Sequence, residues 1–252
     1  FKIVFSSSVK NLNGTLTLPS TLKELDEEVF CSDNFTGELK LPEGLEEIGR
    51  LCFGVTRGFY GELKLPSHLK KLGEQAFRAC RNLTGNLIIP QTLTSIPDDA
   101  FWHCGFDGNL QLHNGIITIG KGAFSSCNFK GELILPKDLQ TLSPECFDNN
   151  EFSGELILPK NLVNIGESAF AGNWRLTGTL EIPEDVANIG AGAFESCRNL
   201  EKIILSSSLE SIGNDAFEDC FGINSIVCKG TMPPDIQSGA FNGVAKDNFT
   251  VE

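Results

Sequence analysis

Large apolar side chains recur along the chain with a period of 23 or 24 residues. One phenylalanine marks each period. A glycine, a Leu-x-Leu or Leu-x-Ile triplet, a proline and a further apolar pair lie between consecutive phenylalanines. Self-similarity at a fixed period of this length is typical of solenoids, in which neighbouring units share one core because a single unit buries too little to be stable. The phenylalanines are Phe30, Phe53, Phe77, Phe101, Phe124, Phe147, Phe170, Phe194, Phe217 and Phe241.

Each period predicts one coil of such a solenoid. A triplet such as Leu63-Lys64-Leu65 predicts a short strand with both leucines inward and the lysine outward, because side chains alternate across a strand. The proline ends the strand without wasting a backbone donor. A second apolar pair, such as Leu162 and Ile165, predicts a second wall. The phenylalanine then closes the coil after one tight helical turn.

The two ends of the chain depart from the regular unit. Residues 2–9 match residues 202–209 position by position, so we interpret residues 1–14 as an atypical N-terminal coil without its helical turn. Residues 229–252 have the pattern of a C-terminal closing half-coil. No linker-like stretch interrupts the repeats, and we therefore predict a single domain over residues 1–252.

The repeating unit resembles the BspA-type leucine-rich repeat, with the pattern Leu-x-x-Ile-x-Ile-Pro-x-x-Val-x-x-Ile-Gly-x-x-Ala-Phe-x-x-Cys. The resemblance covers essentially the whole chain. Eight units depart from it by inserting a residue at the glycine, whereas Leu200-Glu-Lys-Ile203 is the uninserted form. The resemblance implies a right-handed leucine-rich-repeat solenoid, a βα/β-3₁₀ superhelix of about ten or eleven coils with a parallel sheet on one face.

The resemblance also implies a class of function. The family is common on the surfaces of anaerobic bacteria and of some parasitic protists. Its characterised members resemble adhesins for host matrix proteins or other microbes. We therefore expect a non-enzymatic, secreted or cell-surface protein that binds a protein ligand through its sheet face. The chain begins at Phe1 without a leader, so we expect any targeting segment to have been removed.

Composition and charge exclude some partners. The net charge of −13 disfavours nucleic acid and anionic membrane surfaces, because an acidic protein repels phosphate groups. No stretch approaches the ~20 apolar residues of a membrane helix, so we expect no membrane insertion in this segment.

Most of the nine cysteines fall on one slot of the repeat, three residues after the phenylalanine. A small inward polar group at this slot can bond the backbone of the neighbouring coil. A ladder of this kind spreads its members along a line, whereas a metal site needs converging ligands. We therefore expect buried free thiols and no metal, although neighbouring members are close enough for a disulfide, about 5 Å apart. The slot holds Cys80, Cys104, Cys127, Cys197 and Cys220, with asparagine at Asn150 and Asn173; Cys31, Cys52, Cys146 and Cys228 are also expected in the core.

A catalytic role receives little support. His103 and Cys104 are adjacent in sequence, as in a thiol nucleophile with its base, but Cys104 belongs to the ladder and should be inward and inert. No glycine-rich phosphate loop, zinc-ligand spacing or serine elbow is present. We predict no catalytic residues and no cofactor.

The outward strand positions are the best candidates for a binding surface. Six of these eleven positions carry β-branched apolar residues. Such residues simply favour strands, but stacked on a solvent-facing sheet they would also form an exposed patch of the kind that marks binding sites. In the N-terminal half, the outward Lys40 and Lys64 lie near acidic residues and indicate solvated charge pairs. The candidate partner-binding residues are Ile88, Gln111, Glu132, Ile134, Glu155, Ile157, Glu181, Ile204 and Val227.

Two other functions fit the same pattern. The solenoid could be a structural spacer that holds an adjacent domain away from a cell surface. It could also bind glycans, but Trp102 and Trp174 fall in loops beyond the phenylalanine rather than on the sheet.

Overall fold

The structure is a computed structural model that describes residues 2–3 and 12–244, and these residues form a solenoid of about ten coils. They contain short strands and turns but no helix, and each strand pairing is parallel. The strands are β1 Lys2–Ile3, β2 Asn13–Thr15, β3 Glu24–Leu25, β4 Asn34–Glu38, β5 Glu47–Ile48, β6 Phe59–Glu62, β7 Lys71–Leu72, β8 Leu83–Thr84, β9 Leu87–Ile88, β10 Ser95–Ile96, β11 Leu110–Gln111, β12 Thr118–Ile119, β13 Lys130–Gly131, β14 Thr141–Leu142, β15 Glu151–Phe152, β16 Gly154–Glu155, β17 Asn164–Ile165, β18 Leu176–Glu181, β19 Asn188–Ile189, β20 Leu200–Leu205, β21 Ser211–Ile212, β22 Ser225–Cys228 and β23 Asp235–Ile236.

The strands form two walls, each built from short ladders. One wall contains the glycine and the Leu-x-Leu triplet, and consists of the ladders β2-β4-β6-β8, β9-β11, β13-β15 and β16-β18-β20-β22. The second wall consists of β1-β3-β5-β7, β10-β12 and β14-β17-β19-β21-β23. The parallel sheet predicted on one face is therefore present, but it is divided into separate ladders.

The inserted glycine shifts the strand register within one of these ladders. Between β18 and β20 the register shifts at Gly178 and Thr179, where an inserted unit meets the uninserted one. Gly178 has a φ of 73°, a backbone conformation that glycine adopts without the steric cost of a Cβ. Seven of the eight inserted glycines have positive φ; Gly108 does not.

The segment around each phenylalanine differs from the helical turn that the sequence predicts. Along this segment, successive backbone N–H groups donate alternately to a carbonyl of the same coil and to a carbonyl of the next coil. The N–H of Cys52 donates to Gly49 within the coil at 3.3 Å, whereas the N–H of Phe53 donates to Ala76 of the next coil at 2.8 Å. A helical turn would direct its N–H groups along its own axis. Consecutive turns instead leave every second N–H free to bond the neighbouring coil.

The phenylalanines form one continuous column through the core, as the period predicts. All ten rings stack on their neighbours in the column, with centroid separations of 5.3–5.7 Å. A second column, which the sequence reading missed, packs edge-on against the first, for example Phe129 against Phe124 at 6.2 Å. Its aromatic members are Phe35, Phe59, Phe106, Phe129 and Phe152.

The N-terminal end departs from the predicted alignment. Lys2 and Ile3 pair with Glu24 and Leu25 in the second wall, whereas residues 202–205 pair with β22 in the sheet of the triplets. The equivalence of the two segments is therefore wrong for Lys2 and Ile3. The remainder of the predicted N-terminal strand and residues 245–252 of the closing half-coil lie outside the described residues.

Candidate functional site

Two adjacent coils carry exposed isoleucines in the middle of the Leu-x-Leu triplet. Ile134 is 73% exposed and Ile157 is 74% exposed, and we call them the isoleucine pair. The leucines on either side of each isoleucine are buried, because alternate side chains of an extended segment point to opposite faces. The triplets thus hold the isoleucine pair outward by anchoring its neighbours in the core.

A groove lies on each side of Ile157. The first groove, of about 560 Å³, runs between Ile134 and Ile157 and reaches Leu158 and Pro159. The second, of about 630 Å³, lies between Ile157 and the next coil, with Ile182 and Pro183 in its wall. Both grooves combine apolar walls with charged ends.

The other predicted sheet-face positions differ in exposure. Ile88 is 57% exposed and Gln111 is exposed as well. Ile204 and Val227 are only half-buried rather than fully exposed. The predicted apolar strip therefore does not continue with equal exposure to the C-terminal coils.

An ion pair closes the C-terminal end of this surface. Lys229 Nζ lies 2.7 Å from Glu181 Oε1 and 3.8 Å from Glu184 Oε1. Glu181, Ile204 and Val227 occupy aligned positions on three consecutive coils, so this pair spans the coil of Ile204. The hydrogen bond from Lys229 lowers the pKa of Glu181, which keeps the carboxylate charged.

The N-terminal coils confirm the predicted charge pairing. Lys40 Nζ lies 3.4 Å from Glu38, and Lys64 Nζ lies 3.7 Å from Glu62. Both lysine side chains are more than four-fifths exposed, so these pairs contribute little to stability. They neutralise the acidic row in this half of the solenoid.

The cysteine ladder is confirmed, and its side chains hydrogen-bond one coil to the next. Cys127 Sγ donates to the carbonyl of Phe101 at 2.9 Å, and Asn150 Nδ2 donates to the carbonyl of Phe124 at 2.8 Å. The side chain at this slot thus donates a hydrogen bond to the backbone carbonyl of the phenylalanine in the preceding coil. Thr56 fills the same slot and bonds Phe30 at 2.9 Å, a ladder member that the sequence reading did not include.

All nine cysteines are free thiols. Seven are buried, whereas Cys31 and Cys228 are half-buried, so the core placement predicted for Cys31 is wrong. Cys228 packs at the margin of the core. Burial raises the pKa of Cys80, Cys127 and Cys220 to about 12, which leaves these thiols protonated and unreactive near neutral pH.

We expect a thiol-specific reagent to modify at most Cys31 and Cys228 in the folded protein at pH 8. The other seven thiols should react only after unfolding in guanidinium, because they are protonated and have no solvent access. Titration with Ellman's reagent measures both numbers. Rapid modification of more than two thiols in the native protein would contradict the buried ladder.

The adjacent His103 and Cys104 do not form a nucleophilic pair. Cys104 Sγ donates to the carbonyl of Phe77 at 3.0 Å, and burial raises the pKa of its thiol well above the ordinary value. The ring of His103 packs against Trp102 with centroids 4.9 Å apart. The geometry thus orients the thiol towards a backbone carbonyl.

Residues 2–3 and 12–244 contain neither a cluster of metal ligands nor a membrane-spanning helix. No group of three or more His, Cys, Asp or Glu side chains in this part of the chain is arranged to hold a metal ion. None of its segments forms a helix with the length and hydrophobicity needed to cross a membrane.

A separate groove lies on the face formed by the turns. Trp174 is 43% exposed and lines this groove of about 710 Å³ together with Asp148, Glu195 and Arg198. Desolvation, and after it repulsion from neighbouring carboxylates, raises the pKa of Glu195. Arg175 covers the Trp174 ring at 4.5 Å.

The family profile described as BspA type leucine-rich repeat region matches this chain in six copies, over residues 3–84, 56–177 and 140–251. The chain belongs to the BspA-type leucine-rich repeat family. Proteins built from leucine-rich repeats generally bind other proteins and are generally non-enzymatic. BspA-type repeats also favour an extracellular or surface location. No curated protein sequence matches the chain significantly.

Solved structures of leucine-rich-repeat proteins resemble this BspA-type solenoid. A leucine-rich repeat protein from Bacteroides ovatus is 18% identical with a TM-score of 0.52, and the alignment covers 97% of this chain and 83% of that protein. A leucine-rich cell surface protein from Faecalibacterium prausnitzii is 19% identical with a TM-score of 0.43, covering 89% and 74%. The first of these likenesses supports the fold and nothing further.

Proposed function

We propose that this BspA-type protein is a non-enzymatic, secreted or cell-surface protein that binds another protein through its sheet face. The isoleucine pair is the observation that carries the proposal, because it places two apolar side chains about three-quarters exposed on adjacent coils. Contiguous exposed apolar surface bounded by polar residues marks interaction sites. Burying both side chains would contribute roughly 2–4 kcal/mol to association.

The grooves beside Ile157 extend this surface. Each groove is an apolar pocket that a partner side chain can fill. The residues that contribute most to binding energy at protein interfaces typically occupy such pockets. We propose that Ile88, Gln111, Glu132, Glu155, Glu181, Ile204 and Val227 form the periphery of the contact. The proposed unit of function is the single domain predicted over residues 1–252.

The family favours an adhesive role. We propose that the protein ligand is an extracellular matrix protein of a host or a surface protein of another microbe. An elongated stack of coils suits such binding, since it presents a surface that is larger than that of a compact domain of equal mass.

A pull-down with purified domain tests the proposal. Immobilised wild-type protein is exposed to matrix proteins and to microbial surface extracts, in parallel with Ile134→Asp/Ile157→Asp and Ile117→Asp/Val163→Asp. The second double variant is the matched control, because Ile117 is also exposed, at 58%, but belongs to a different position of the repeat. Capture should be lost only with the first variant. Equal capture by all three proteins would reject the sheet face as the site.

A second candidate function rests on the turn-face groove. The face of the Trp174 indole that Arg175 leaves uncovered can stack on the apolar face of a sugar, and the neighbouring carboxylates and Arg198 can hydrogen-bond its hydroxyl groups. Glycan binding would therefore use Trp174 rather than the isoleucine pair. A glycan array probed with wild type and Trp174→Ala separates the two functions, since only glycan binding predicts Trp174-dependent signals.

A further inference from the structure

The two coils of the isoleucine pair share an identical seven-residue sequence. Gly131–Lys137 and Gly154–Lys160 both read Gly-Glu-Leu-Ile-Leu-Pro-Lys. Stacking the two coils therefore places glutamate beside glutamate, isoleucine beside isoleucine and lysine beside lysine. The surface consists of three short parallel rows, acidic, apolar and basic in that order along the strand direction.

Charge pairing within the surface is weak in these two coils. Among the described residues, no ion pair is formed by Glu132, Glu155 or Lys160, and Lys137 contacts only its neighbour Asp138, at 3.7 Å. The exposed side chains of Lys137 and Asp138 make this a weak interaction. Glu155 Oε1 accepts the N–H of Thr179 at 3.3 Å, but no close ion pair among the described residues neutralises Glu132, Glu155 or Lys160.

The N-terminal coils provide an internal comparison. Gly37–Pro42 and Gly61–Pro66 have the same frame, Gly-Glu-Leu-Lys-Leu-Pro, with lysine in place of isoleucine. There the central lysine pairs with the glutamate of its own coil, at 3.4 Å and 3.7 Å. Isoleucine at this one position therefore has two effects: it creates the apolar row and it leaves the acidic row unpaired.

The first groove follows the same order. Glu132 and Glu155 line one part of it, Ile134 and Ile157 form its sides, and Lys137 and Lys160 line the other part. Glu132 and Ile134 are two residues apart, so about 6.6 Å of extended chain separates them. Ile134 and Lys137 are three residues apart, at most about 10 Å of extended chain. In an extended partner segment, residues two apart match the first spacing, and residues two or three apart fit the second.

We propose that the groove between Ile134 and Ile157 binds an extended protein segment in which an apolar residue has a basic residue two positions to one side and an acidic residue two or three positions to the other. The basic residue lies against Glu132 and Glu155, the apolar residue between the isoleucines, and the acidic residue against Lys137 and Lys160. This inference rests on the proposed function, because it names the partner chemistry of the same surface. The opposed charges fix the placement of the segment, and the apolar residue supplies most of the affinity.

Selection from a phage library of random short peptides tests the proposal. The bait is the wild-type domain, after depletion of the library on Ile134→Lys/Ile157→Lys, which converts both coils to the N-terminal type. Selected peptides are then measured against Glu132→Lys/Glu155→Lys, Lys137→Glu/Lys160→Glu and the control Lys40→Glu/Lys64→Glu. Circular dichroism establishes that each variant is folded.

The expected result is an enriched motif, in either chain direction, in which a basic residue lies two positions from an apolar residue and an acidic residue lies two or three positions beyond it. Each of the two groove charge reversals should weaken binding at least about tenfold, which corresponds to 1.4 kcal/mol, and the control should leave it unchanged. Peptides that depend on the isoleucines but not on the charges would overturn this inference and leave the proposed function standing. No enrichment over the depleted library would also overturn it. Self-association of the domain through Ile134 and Ile157, seen by light scattering, would show that a second copy occupies the groove instead.

Discussion

Replacing Phe124 by alanine will lower the free energy of unfolding by about 3–5 kcal/mol. The ring is fully buried and stacks between Phe101 and Phe147 with centroids 5.6 Å and 5.7 Å away, while Phe129 packs against it edge-on. Truncation removes these contacts and leaves a cavity that the stacked coils cannot easily close. Equilibrium urea denaturation measures the loss, and the fluorescence of Trp102 and Trp174 reports on different parts of the solenoid.

Phe241→Ala is the matched control for this prediction. Among the described residues, Phe241 is the last ring of the column, with Phe217 as its one stacked neighbour, at 5.3 Å, and it is half-buried. Its truncation should cost less than half as much as that of Phe124. Similar losses at the two positions, or a loss below about 1 kcal/mol at Phe124, would mean that the column does not hold the coils together.

Replacing Asn150 by alanine will lower the free energy of unfolding by about 3 kcal/mol. Its Nδ2 donates to the carbonyls of Phe124 at 2.8 Å and of Phe147 at 3.1 Å, and its Oδ1 accepts the N–H of Phe129 at 3.0 Å. Asn150 is 2% exposed, so alanine leaves buried backbone groups without partners. Urea denaturation again provides the measurement.

Two further variants separate hydrogen bonding from packing at this slot. Asn150→Cys restores the donor to Phe124 that other coils obtain from cysteine, and it should recover part of the loss. Asn173→Ala should cost less than Asn150→Ala, because Asn173 Oδ1 accepts no hydrogen bond from the residues that the structure describes. If Asn150→Cys were as unstable as Asn150→Ala, the ladder bond to the preceding coil would not be the source of the stability.

Two columns of the core could be predicted from the sequence because each is filled by one or two residue types throughout. Phenylalanine and the cysteine or asparagine three residues later recur at a fixed period, so their stacking follows from the repeat alone. The second aromatic column was missed since leucine replaces phenylalanine in several coils, as at Leu83 and Leu176. A signal for it was present, because Phe106, Phe129 and Phe152 each follow a column phenylalanine by five residues.

The backbone conformation of the turn segment and the extent of the binding surface could not be predicted from the repeat period. Hydrogen bonding between coils decides the backbone conformation around each phenylalanine, and this depends on residues about one period away. Strand alternation fixes the direction of a side chain but not how much solvent reaches it. Ile134 and Ile204 have equivalent outward positions, yet Ile134 is 73% exposed whereas Ile204 is half-buried, and the Lys229–Glu181 ion pair spans the coil of Ile204.

Hydroxyl-radical footprinting of the domain, alone and with the partner that it captures, tests the binding surface most directly, because it requires no substitution. Oxidation of Ile134 and Ile157 should fall in the complex, while that of Ile117 and Val163 stays unchanged. Protection centred on Trp174, with the isoleucine pair as reactive as in the free domain, would contradict binding through the sheet face.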